Sequence, residues 1–353
     1  MLEGVRVVDL SRLLPGPMAS WYLRGMGAEV IKVEDPKVGD YLRFSPPFRS
    51  DGSSAWFAAL NAGKRSLALD LKDPEAQSQL LDVLETADVL IESFRPGVLA
   101  RLGLDPNALR ITHPRLVIAS ISGFGQTGSR AADPGHDLGY CGLAGSLRLS
   151  ARHGQVPSLP GLPVADMAGG ALTTAMTVCA ALFARERSGV GRWLDLSMTE
   201  GVLAMMTPYL AATAAGHQPA PGADLLTGGW ARYGIHRCKD GGLIALAAIE
   251  DQFWNQLSEL VGEPVPEDKA ALSELFVRRT RDEWAELLAP ACVTPILELE
   301  EVLRSSLHRE RGAWRGSDED QRVSPAFFSD RDFVTLPAPE LGEANSELLA
   351  SRT

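Results

Sequence analysis

The alternation of β-branched runs with helical stretches between residues 5 and 125 restricts the fold more than any other feature of the chain. VRVVDL (5–10), AEVIKVE (28–34), RSLALDL (65–71), DVLIESF (88–94) and RLVIASISGFG (115–125) all read as strands. Between them lie MASWYLRGMG, which stops at Gly27, and PEAQSQLLDVLETA (74–87), both helical in pattern. Strands separated by helices cannot pair as hairpins, so a mostly parallel sheet covered by helices is expected, an α/β fold. The first strand-to-helix turn is LLPGP rather than G-x-G-x-x-G, so the dinucleotide fingerprint is missing.

At 353 residues the chain exceeds what one core ordinarily serves, and two domains are expected. The large α/β domain should span 1–190. Residues 191–221, holding the apolar stretch SMTEGVLAMMTPYLAATAAG, read as a linker helix that leads into the Pro/Gly-rich HQPAPGADLLTGG (217–229), a domain boundary. A smaller α+β domain, 222–314, begins with YGIHRCKDGGLIALAAI, a hairpin turning at KDGG. It continues with the helices EDQFWNQLSELVG and TRDEWAELLAPA and the strand-like CVTPILEL.

Hydrophobic residues at 45% and charged residues at 22% suit a globular core and exclude disorder. The net charge of -11, with basic residues scattered, argues against a nucleic-acid partner. No basic leader precedes the first strand, and no run looks long enough for a membrane span. Cys141, Cys179, Cys238 and Cys292 show no paired spacing, which fits reduced thiols in a cytoplasmic protein and offers no metal site.

Three residues stand where chemistry is usually built. His136 lies in the Gly-rich loop GFGQTGSRAADPGHDLGY (123–140), beyond a strand end where α/β folds place their sites. Asp166 precedes the helix 167–189 and reads as its N-cap. Its setting, LPGLPVADMAGG, also puts a carboxylate between an apolar entry and a Gly pair, where it would hold a proton more tightly than usual. Glu250 ends LIALAAI, as a helix-start residue or as a carboxylate for a distant histidine. Lys64, Arg65 and Arg95 sit at strand margins, as solvated charge or as phosphate contacts. Met198, Met205 and Met206 would offer an apolar surface or ordinary core.

VRVVDLSRLLPGPMASWYLRGMGAEVIKVE, NAGKRSLALDL, DVLIESFRPGV, SGFGQTG and ARERSGVGRWLDLSM resemble motifs of the family III CoA-transferase superfamily. GHDLGY, VADMAGG, AAIEDQFW and ACVTPILELEEV resemble its α-methylacyl-CoA racemase branch. The resemblance implies a large Rossmann-like α/β domain completed by 315–353, a smaller α+β domain, and an interlinked homodimer. It implies His136 and Asp166 as an acid/base pair, with Glu250 supporting His136 from the partner chain. Asp137 would be an orienting neighbour. Lys64, Arg65, Arg95, Gly123 and Gly125 would contact CoA, which is part of an acyl-CoA thioester substrate, and no redox or metal cofactor would be needed. In the transferases of the superfamily the aspartate is instead a nucleophile. Asp35 departs from the pattern, because racemases of this kind tend to carry a basic residue there.

Overall fold

The computed structural model describes residues 1–151, 155–217, 219–315, 322–323 and 336–350. They form two compact units, one from 1–146, 160–207 and 311–353, the other from 147–159 and 208–310.

The first unit is built on six parallel strands: β1 (Arg6–Asp9), β2 (Glu29–Glu34), β3 (Arg65–Ala68), β4 (Val89–Glu92), β5 (Val117–Ser122) and β6 (Trp193–Ser197), in the order β3-β2-β1-β4-β5-β6. Val8, Ile31, Leu90 and Ile118 are fully buried, as expected for parallel strands covered on both faces. The chain reverses its direction of winding between β1 and β4. That switch point opens a crevice beyond the strands' carboxyl ends.

Helix α1 (Pro15–Gly25) starts on proline, and α2 (Pro74–Leu84) is capped by Asp73, whose side chain accepts from Glu75 N–H. Helix α3 covers Asp137–Leu143, and α4 runs over Ala165–Ser188, π-helical from Ala165 to Leu172 and α-helical from Thr173. Helix α5 (Met198–Met205) is capped by Ser197. With a mean hydropathy of 1.6, α4 is long and apolar enough to cross a membrane, which corrects the reading that no segment is. One side of it packs on α1 and α5, while Met176 and Phe183 are exposed. A Cβ on Gly169 would stand 2.6 Å from the Met198 carbonyl oxygen, and one on Gly170 would stand 3.1 Å from Pro15 and Met198 side-chain atoms. The Gly pair is therefore what lets these elements touch.

The second unit carries the antiparallel sheet β7 (Tyr233–Arg237), β8 (Leu243–Ala247) and β9 (Val293–Ile296). The β7–β8 turn is at KDGG, closed by Cys238 N–H on the Gly242 carbonyl at 2.8 Å. Helices α6 (Asp251–Val261), α7 (Lys269–Phe276) and α8 (Arg281–Leu288) pack Trp254, Leu272, Phe276 and Trp284 onto Ile244 and Leu246.

One expectation changes. The span 191–221 is not a single linker helix, because β6 and α5 belong to the first unit and a second helix, Thr207–Ala214, follows a break at Met206. Pro208, in that helix's first turn, explains the break, since it lacks an N–H and disfavours helix before it. In the C-terminal tail, the described residues 336–350 join β3 through Asn345, whose side chain accepts from Ala68 N–H at 2.8 Å. The rest of the expected tail segment, residues 316–321, 324–335 and 351–353, lies outside the described residues.

Candidate active site

A cleft of ≈ 580 Å³ lies beyond the carboxyl ends of β1, β4 and β5, with Arg12, Arg95, Gly123, His136, Tyr140 and Asp166 on its walls. The strands bring these loops together from five separate stretches of sequence. His136 occupies the N-cap of α3 with extended backbone (φ -138, ψ 169), and its side chain does not cap the helix. The imidazole is thus left for the cleft.

Asp137 connects the two halves of the site. One of its carboxylate oxygens accepts from the backbone N–H groups of Ala165 at 2.6 Å and Asp166 at 3.1 Å. The residue that follows His136 therefore anchors the start of α4. Asp166 is not the N-cap of that helix, since Val164 holds the position and Asp166 falls inside the first turn. Burial, and then the negative charge of Asp137, push the Asp166 carboxyl up to about 6 against the opposing influence of His136. Tyr140 lies against Gly123 and Gly135, where a Cβ on either would approach its ring to 2.5 Å.

A buried ionic layer supports the β1 loop. Lys64 Nζ donates to Pro17 O and Ser20 Oγ, both at 2.8 Å, to Asn61 Oδ1 at 2.9 Å, and pairs with Asp9 at 3.5 Å. Burial pulls the Lys64 ammonium down to about 7 against the attraction of Asp9. For Asp9, burial works upward but Lys64 and Lys32 outweigh it, and its carboxyl is net lowered. Lys32 pairs with Asp40 at 2.8 Å, and Asp40 accepts from Leu13 N–H at 3.1 Å. Leu13 has φ 65 on the cleft wall, a conformation that costs a non-glycine residue about 1 kcal/mol or more and needs such an anchor.

The expected CoA contacts separate accordingly. Arg95 and Gly123 line the cleft. Lys64 does not, being a fully buried structural cation, and Arg65 is occupied by Glu29 at 3.0 Å and Glu347 at 2.6 Å. Gly125 shapes the turn behind Gly123 with φ +87 and an N–H bonded to Ser122 Oγ at 2.9 Å. Met198 lines the cleft, whereas Met205 is exposed and Met206 buried. Glu250 belongs to the second unit, at the N-cap of α6, exposed and making no side-chain cap. Sequence reasoning missed Arg12 and Tyr140. The signal for Arg12 was its place in the loop directly after β1, at the switch point.

A narrower slot of ≈ 270 Å³ shares Arg12 and Phe94 with the cleft and is walled by Leu10, Val33, Leu69 and Leu71. Glu92, the last residue of β4, is buried and accepts from Phe94 N–H at 2.8 Å. Burial pushes the Glu92 carboxyl up to about 7, against hydrogen bonds from Ser120 and Phe94. Below its ordinary value of 4.5 the group is protonated whether folded or not. As pH rises to about 7 the unfolded chain releases the proton first, so the fold loses up to about 3 kcal/mol over that window. Glu92→Gln should therefore match the wild type near pH 4 and become progressively more stable than it toward pH 7. Parallel urea-unfolding curves across that range would refute this.

A profile of CoA-transferase family III matches residues 2–345. Alpha-methylacyl-CoA racemase of Homo sapiens is 37% identical over 339 residues, covering 92% of this chain and 85% of that protein. Succinate–glutarate CoA-transferase of Agrobacterium fabrum is 41% identical over 205 residues, 56% of this chain and 51% of its own. A CAIB/BAIF family protein from Brucella suis superposes with a TM-score of 0.86 at 30% identity, covering 99% of this chain and 98% of that one. Sheet order, a cleft at the switch point and a match across almost the whole length agree: the chain belongs to CoA-transferase family III.

Proposed function

We propose that the protein inverts the α-carbon of 2-methylacyl-CoA thioesters, with His136 and Asp166 as its proton-transfer pair. The observation that carries this reading is that both groups line one cleft and that Asp166 is shifted to about 6, so that its carboxyl can gain or lose a proton near neutrality. A neutral His136 removes the α-hydrogen, and the electron pair of the C–H bond moves onto the thioester carbonyl to give an enolate. A protonated Asp166 returns a proton to the opposite face. The roles exchange for the other enantiomer, and the cycle needs no redox or metal cofactor.

The N-terminal dipole of α4 favours the negative enolate oxygen. In this reading the apolar slot takes the nucleotide end of CoA, and Arg12, common to slot and cleft, meets the diphosphate between them. Glu250 of the partner subunit orients His136 in an interlinked homodimer, in the way a third group orients the histidine of a triad. The racemase match over 92% of the chain supports the choice of substrate class. The reaction would serve branched-acyl lipid metabolism in the cytoplasm.

A second reading draws on the 41% match to a CoA-transferase over 205 residues. There Asp166 attacks an acyl-CoA carbonyl, expels CoA thiolate, and CoA then passes to another acid through a covalent intermediate. Incubation with (2R)-2-methylacyl-CoA in D2O separates the two. Deuterium at the α-carbon with loss of optical purity is the expected result. Absence of exchange, with hydroxylamine trapping of Asp166 once a free carboxylic acid is added, would replace the first reading by the second.

A further inference from the structure

We infer that Tyr140 is a further catalytic residue, whose hydroxyl donates a hydrogen bond to the thioester carbonyl oxygen of the substrate and stabilises that oxygen as it becomes the oxygen of an enolate. The inference rests on the acyl-CoA reading above and gives the enolate oxygen a side-chain donor in addition to the dipole of α4.

The Tyr140 side chain is 5% exposed and stands on the wall of the cleft that also holds His136 and Asp166. Among the described residues its hydroxyl makes no hydrogen bond, yet the oxygen keeps some contact with solvent, so it opens onto the cleft. A tyrosine hydroxyl on a buried ring ordinarily has a partner, and here that partner has to come from whatever occupies the cleft. The phenol is held rigidly. Its ring meets Phe124 edge-on, with centroids 5.2 Å apart. A Cβ on Gly123 would stand 2.6 Å from the hydroxyl oxygen, and one on Gly135 would stand 3.0 Å from it. Neither glycine has a positive φ, so it is the approach of the phenol that keeps a side chain off both. Tyr140 also follows His136 by one turn of α3, its N–H bonded to the His136 carbonyl at 3.3 Å. Donor and base therefore ride on one short helix, and a donor fixed in this way needs no reorganisation when charge develops.

The charges around the phenol suit a donor. Burial, and then the negative charge of Asp166, raise the phenol above its ordinary value, against the opposing influence of Arg95 and with a smaller upward push from Asp137. Tyr140 thus keeps its proton through the neutral range and is not a third base. Asp166 acts on it through charge alone, since no hydrogen bond joins the two. In the enolate state His136 holds the α-proton and Asp166 still holds its own. The larger of the two negative influences is then neutral while Arg95 stays positive, which makes the O–H a stronger donor at the stage when the oxygen carries charge.

Tyr140→Phe keeps the ring and removes only the donor. Inversion and α-deuterium wash-in should both fall about 10²-fold in kcat, because both pass through the enolate, with KM changed less than about threefold. Two ligands read the same bond without turnover. A CoA thioether with a methylene in place of the carbonyl should bind wild type and variant alike, which also reports that the variant's cleft is folded. A 2-nitroalkyl-CoA thioether, whose nitronate places negative oxygens where the enolate oxygen would lie, should bind the variant at least about tenfold more weakly. Inversion by the variant within about threefold of the wild type, or equal loss of affinity for both ligands, would overturn the inference and leave the racemase reading standing. A pH profile displaced along the pH axis with its height unchanged would assign the hydroxyl to Asp166 and overturn the inference as well. Absence of inversion by the wild type would overturn the reading and the inference with it.

Discussion

Asp166→Asn is expected to reduce racemisation by about 10²- to 10⁴-fold, the usual contribution of a positioned acid or base, and at the same time to stabilise the protein above pH 6. The stability effect follows from the upward shift of its carboxyl from 3.8 to about 6. Below that window both states carry the proton. Through it, the unfolded chain gives the proton up while the folded one keeps it, so the wild type loses up to about 3 kcal/mol as pH climbs. Asparagine has nothing to titrate. Urea unfolding should find the variant close to the wild type near pH 4 and more stable near pH 7.5, alongside loss of inversion at the α-carbon. Racemisation kept within tenfold of the wild type would remove Asp166 from the proton path. Such an exchange of stability for chemistry is common where a group is held in an unfavourable ionisation state for use.

Lys64→Ala should cost about 3–5 kcal/mol, because it leaves Asp9 charged and buried without its partner. Lys64 Nζ also holds the Pro17 carbonyl, Ser20 and Asn61, so the β1 loop and the start of α1 should loosen together. The folded fraction should still bind CoA with affinity within a few fold of the wild type. Unchanged urea stability together with tenfold weaker CoA binding would instead mean that Lys64 contacts the ligand.

The same lysine shows where sequence reading stops. Next to a strand, Lys64 looks like surface charge, and its burial depends on Asp9, 55 residues upstream on a different strand. No local pattern reports such a pairing. The five N-terminal strands were legible because parallel strands buried on both faces must be apolar throughout. Strand β6 escaped because WLDLS sits at the sheet edge with Trp193 and Leu194 half-buried and Asp195 exposed, too short and too mixed to stand out. His136 and Asp166 were visible from their Gly-rich settings. The bridge that Asp137 makes to residues 28 and 29 positions away was not, since it exists only once α3 and α4 pack. Glu250 stands at the N-cap of α6, as its place at a helix start suggested, and a helix-start carboxylate carries no local sign of a distant partner.

The π-helical stretch Ala165–Leu172 makes the direction of Asp166 a matter of counting. Each residue of an ordinary α-helix turns about 100° around the axis, and a π-turn is accommodated by extra chain that such a helix would not hold. Loss of one residue between Met167 and Leu172, with Thr173–Ser188 kept in place by its packing, would swing Asp166 by roughly that angle away from the wall it shares with His136. In the proposed reaction, delivery of a proton to the opposite face is thus tied to the length of a polypeptide segment, and a single-codon deletion there would abolish inversion while leaving every reactive group in the sequence.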